Sequence, residues 1–111
     1  MKISGILNNL SECRVRFQWL GSSFCGKYIP HERADDEILI NLELETVDTA
    51  IHEVLHREHS LWSEKKVIKK TFKILQNLTA EQIHKIFAAV VERHNEVIQA
   101  EAKERKRKGR R

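Results

Sequence analysis

The chain reads as an α+β domain, a small antiparallel sheet of about three strands followed by three helices. Three observations carry that expectation. Apolar and polar residues alternate over 13–19 and again over 37–44, the period of a half-buried strand. From Thr46 onward the apolar spacing changes to three and four, the period of a helix. Thr79 and Gln82 stand at capping-box spacing before the longest such stretch.

The first strand sets Cys13, Val15, Phe17 and Trp19 on one face and Arg14, Arg16 and Gln18 on the other. Gly21, Ser22 and Ser23 form a turn. A short second strand over 24–29 follows, weakened by Gly26, and Pro30 ends it ahead of a polar connection. The third strand, 37–44, aligns Ile38, Ile40, Leu42 and Leu44. Three strands with short links predict a meander. Thr46 then caps a helix whose apolar stripe is Val47, Ile51, Val54 and Leu55, and which ends near His59. Ser63 caps a second, running to Asn77 with Val67, Ile68, Phe72, Ile74, Leu75 and Leu78 on its buried face. The third begins after Thr79, with Ile83, Ile86, Phe87, Val90, Val91, Val97 and Ile98 at helical spacing. No internal repeat is present.

The 111 residues suit a single domain over 1–102, and 103–111 form a basic C-terminal tail. That tail holds seven of the 20 basic residues and one of the 16 acidic ones, so the body carries a net charge of −2. No aromatic residue is interleaved with the tail and no second basic cluster joins it. It therefore reads as a solvated, frayed end or a weak polyanion contact. No run approaches the ~18 apolar residues of a membrane span, and the first 20 residues carry charges where a signal peptide would be apolar. Cytoplasmic residence with no membrane contact is the expectation. Cys13 and Cys25 are too few for a disulfide framework and read as small buried side chains in a reducing compartment.

The residues that carry chemistry are His52-Glu53-Val54-Leu55-His56, the pattern H-E-x-x-H. Two histidines four apart share a helix face and can reach one metal ion. Zinc takes neutral imidazole nitrogens, and Glu53 is the residue type that accepts a proton from water beside it. A catalytic zinc also needs a third protein ligand. His59 and Glu64 are the candidates. On an unbroken helix His59 lies about 10.5 Å along the axis from His52, too far for easy convergence. Glu64 follows a turn and opens the next helix, which can fold back, so it is favoured over His59. Asp48, four residues before His52, is a candidate to orient that imidazole. Trp19 and Trp62 read as core or core-edge residues, with Trp62 placed to shield the metal cleft. His84 and His94 read as core histidines.

The segments EILINLEL, IHEVLH and SLWSEKKV, in that order over residues 24–75, resemble short minimal zinc metallopeptidase-like proteins of the gluzincin type. The resemblance implies a zincin-like minimal domain with His52, His56 and Glu64 as zinc ligands and Glu53 as general base. It implies hydrolysis of a peptide or protein substrate. The link from His56 to Glu64 is shorter than in large gluzincins. Those enzymes also use a Tyr or His to steady the oxyanion, and Tyr28 and His31 are the residue types available here. Strand 37–44, taken as a sheet edge, would hold an extended peptide by strand addition.

Two other readings stand beside this one. One is a metal-dependent RNA-processing hydrolase with the basic tail as its handle. The other is a non-catalytic interaction module, with structural zinc or none, using the long last helix to bind a partner or a second copy. Composition leaves the natural substrate and the oligomeric state open.

Overall fold

A computed structural model describes residues 2–109, which form four helices and a three-stranded sheet in an α+β arrangement. Helix α1 (Ile3–Glu12) precedes strands β1 (Arg14–Phe17), β2 (Gly26–Ile29) and β3 (Glu37–Ile40). Helices α2 (Leu42–Glu58), α3 (Glu64–Asn77) and α4 (Ala80–Lys108) follow.

The class is the expected one, but the sheet is mixed. Its order is β1-β3-β2, with β1 parallel and β2 antiparallel to β3. Strand directions alternate as in a meander, yet β3 lies between the other two. Composition explains the exchange. Ile38-Leu39-Ile40 is apolar on both faces and gains most from a central position, whereas Arg14, Arg16 and Lys27 suit exposed edges. β3 is therefore no edge, which removes it as a template for an added peptide strand. Gly26 begins β2 where a Cβ would lie 3.0 Å from the Leu39 carbonyl oxygen, so the residue that weakens the strand on paper permits its close pairing.

β3 ends at Ile40, and the helix begins well before Thr46. Asn41 makes the transition. Its Nδ2 donates to the carbonyls of Gly21 (2.8 Å) and Phe24 (2.9 Å), and its Oδ1 accepts from Leu44 N–H at the helix start. Its own N–H donates to Cys25 O at 2.8 Å. The side chain is fully buried and fully satisfied, so one residue ties the 21–25 loop to the N-cap of α2. Leu42 and Leu44 continue the period-two pattern of β3, while Leu44, Val47 and Ile51 already follow a helical one.

Leu44, Val47 and Ile83 form the buried centre, and Trp19, Ile51, Leu75, Leu78, Ile86 and Phe87 pack around it. α2 packs against both α3 and α4 and so sits at the middle of the helical layer. The caps at Ser63 and Thr79 are as expected, and the Thr79–Gln82 pair makes both reciprocal bonds, 3.2 and 2.9 Å. α1 was not evident in the sequence. Its Ile3, Ile6, Leu7 and Leu10 have helical spacing, but Gly5, Asn8 and Asn9 lower its propensity and none of its residues is buried.

The basic segment also differs from a frayed end. Residues 103–108 continue α4, with ion pairs Glu101–Arg105 and Glu104–Lys108 at 3.9 Å and four basic residues at the favourable end of the helix dipole. Residue 102 is thus mid-helix, and Arg110 and Arg111 lie outside the described residues. Among the described residues no helix is long and apolar enough to cross a membrane.

Candidate metal centre

α2 and α3 form an antiparallel pair joined by the short turn 59–63, and this returns the start of α3 to the end of α2. The local sequence dictates the return. His59 closes α2 through its N–H to Leu55 O, and Trp62 N–H donates to His59 O at 3.0 Å. Ser63 Oγ then accepts from Lys66 N–H and opens α3. Buried Val67, one turn in, anchors the helix.

Glu64 consequently sits directly opposite the two motif histidines. His52 Nε2 lies 2.7 Å from its Oε1 and His56 Nε2 lies 2.8 Å from its Oε2. The two Nε2 atoms are 3.2 Å apart. These three residues are the group, among those described, that can hold a metal ion. Both imidazoles are half-buried, while the carboxylate is 61% exposed, so the site is walled on one side and open on the other.

The donor set and spacing fit zinc. Tetrahedral coordination at about 2.0–2.1 Å places donor atoms about 3.3 Å apart, close to the observed nitrogen separation. The carboxylate oxygens lie nearer than that, at hydrogen-bond distance. In this arrangement they accept from both rings. Coordination would replace those two hydrogens and draw Glu64 back by about half an ångström, which an exposed side chain accommodates.

His59 is engaged elsewhere. Its ring stacks on Trp62 with centroids 3.8 Å apart and planes 5° from parallel, and Lys66 Nζ lies 4.4 Å from the centre of the Trp62 ring. Trp62 therefore braces the turn that carries Glu64. Glu53 follows His52 by one residue, about 100° around the helix. It is exposed and lines a groove of about 400 Å³ with Thr49 of α2 and Val90 of α4.

Other candidates fall away from the cluster. Tyr28 Oη donates to Asp36 Oδ2 at 2.6 Å, and the bond raises the phenol pKa and lowers that of Asp36. His31 donates its backbone N–H to Asp36 and sets its ring 3.8 Å from Glu37. Both are committed to the far end of the sheet hairpin. Asp48 makes no hydrogen bond to His52 among the described residues; its charge bears instead on Cys25. Cys25 is exposed rather than buried, and its thiol is pushed up to about 11 by local burial, a hydrogen bond to Glu45 and the charges of Glu45 and Asp48. His84 is likewise exposed, paired through Nδ1 with Glu43 and set against Trp19. His94 is exposed too, and lines an apolar groove of about 670 Å³ between α2, α3 and α4 that excludes the metal ligands.

One charged feature escaped the sequence reading. Lys65, Lys66, Lys69, Lys70 and Lys73 all project from α3, forming the second basic cluster that 103–111 seemed to lack. The signal was their three-and-four spacing, masked by the apolar residues between them.

Comparison with protein-family models, with curated proteins and with solved structures finds no match.

Proposed function

We propose that the protein is a zinc-dependent metallopeptidase-like hydrolase in which His52, His56 and Glu64 hold the metal and Glu53 is the general base. The observation that carries the reading is the meeting of two Nε2 atoms, 3.2 Å apart, with both oxygens of one carboxylate brought in by a separate helix. A helix-surface pair of histidines requires no such partner, and the turn that delivers Glu64 is braced by its own stack.

When bound, zinc supplies Lewis acidity, making water acidic near neutral pH and polarising a carbonyl. Glu53, next in sequence to His52 and exposed, would accept a proton from water as the oxygen adds to the carbonyl carbon. The same carboxyl returns that proton to the departing amine nitrogen as the C–N bond breaks. His52 and His56, fixed four residues apart on a packed helix, and Glu64, fixed by the 59–63 turn, keep the donor geometry constant through the cycle.

Glu53→Gln preserves shape and hydrogen bonding but cannot take the proton. Zinc content should be unchanged, and hydrolysis of an unfolded protein such as casein should fall by about 10²-fold or more. Hydrolysis undiminished in that variant removes Glu53 from the mechanism.

A further inference from the structure

We propose that the outward face of α3 is a docking surface for the phosphate backbone of nucleic acid. Five of its 14 residues are lysines, and its one acidic residue, Glu64, is turned to the histidines. On a helical wheel Lys65, Lys69, Lys73, Lys66 and Lys70 fall within an arc of about 140°, opposite buried Val67 and Thr71. All five are exposed, and none has a carboxylate within ion-pair distance among the described residues.

This arrangement works against the helix. Lys65–Lys69, Lys66–Lys70 and Lys69–Lys73 are like-charge neighbours four residues apart, which destabilise a helix. Lys65 and Lys66 also stand in the first turn, where the dipole disfavours cations. A solvated face has no need of such placement, and neighbouring α4 spaces its charges as compensating pairs. Local rules broken without internal compensation mark a surface shaped for something outside the fold.

The chemistry names the partner. A row of flexible ammonium groups with no paired acid neutralises a row of phosphates and releases their counterions. Val67, Thr71 and Leu75 are turned into the protein, but Ile68 and Phe72, expected on the buried face, stand 55% and 62% exposed beside the lysine arc. Two apolar side chains make too narrow a face to seat a helix in a bilayer, whereas the Phe72 ring offers a surface on which a base can stack, so an anionic membrane is the less suitable partner. Lys66 is partly occupied over Trp62, so Lys65, Lys69, Lys70 and Lys73 are the principal contacts. The surface stands whether or not the metal centre is catalytic.

The test is fluorescence anisotropy of the full chain on a labelled random-sequence DNA duplex across a salt series. Each phosphate neutralised contributes about −0.9 to the slope of log affinity against log salt. Replacing Lys69, Lys70 and Lys73 by Gln, all well clear of the metal ligands, should flatten the slope by about 2.7. The affinity lost between about 50 and 200 mM salt should then shrink about 40-fold. The triple Lys→Arg variant should keep the parent slope, and zinc content and the far-UV spectrum should be unchanged in both. A slope unaffected by the Gln variant but lost on substituting Lys103, Lys106 and Arg107 would overturn the proposal in favour of the α4 end. Lysine-dependent binding to phosphatidylserine vesicles with none to DNA would overturn it in favour of a membrane surface.

Discussion

Zinc should stabilise this fold by cross-linking α2 to α3, and Glu64→Gln should remove most of that stabilisation. Gln keeps the size of the side chain but loses the charge that a metal needs. The two histidine nitrogens already stand 3.2 Å apart, so binding requires little rearrangement beyond the retreat of one exposed carboxylate. A ligand that binds only the folded state at about 1,000 times its Kd contributes about 4.1 kcal/mol. For a domain of this length that corresponds to a rise of about 16 °C in Tm. Loss of a direct ligand should weaken affinity by at least about 100-fold, the upper end of what loss of an outer-sphere partner costs. At the same free zinc the stabilisation drops to about 1.4 kcal/mol, and the rise to about 6 °C. Without zinc the two proteins should melt within about 4 °C of each other, because the His–Glu contacts are largely exposed and worth at most about 1 kcal/mol. Calorimetry in metal-buffered solution reads both conditions. Equal zinc-induced shifts in parent and variant would refute Glu64 as a ligand and, with it, the idea that the turn exists to deliver one.

Two further outcomes follow from the packing and the charges. Ile83 is fully buried between α2 and α4, so Ile83→Ala should cost about 3–4 kcal/mol and about 12–16 °C in Tm. A loss under about 1 kcal/mol in urea unfolding would place the core elsewhere. The Cys25 thiol, raised from 9.0 to about 11, is ionised in about one molecule in a thousand at pH 8, against about one in ten for an unshifted thiol. Its alkylation should therefore be slow at pH 8 and rise tenfold per pH unit up to about 11. Glu45→Gln removes the charge that favours the protonated form and leaves only a weaker, neutral acceptor, so it should speed the reaction several-fold at pH 8; an unchanged rate would contradict the stated cause.

The helices were the most legible part of the sequence, because caps are local chemistry. Ser63 and the Thr79–Gln82 pair mark their helix starts in place. The H-E-x-x-H spacing, with Glu64 just past a turn, likewise marks two histidines and a carboxylate as able to meet, and they do. The hidden features depend on contacts distant in sequence. Asn41 is an unremarkable residue until Gly21 and Phe24 arrive to accept from it, and only then does it end the strand. The central position of β3 is a competition among three strands, decided by which has two apolar faces. His59 looks like a ligand on paper, and only the neighbouring Trp62 ring shows what occupies it. The α3 lysines were plain in the sequence, but their common exposed face emerged with the helix that carries them.

The most direct measurement is zinc stoichiometry by elemental analysis, with X-ray absorption at the zinc edge, on the tag-free chain beside His56→Ala. One zinc per chain, coordinated by two imidazoles and carboxylate oxygen at about 2.0–2.2 Å and lost in the variant, is the expected result. A parent that takes up no zinc after reconstitution, or a variant that retains a full equivalent, would contradict the metal centre on which the proposed function rests.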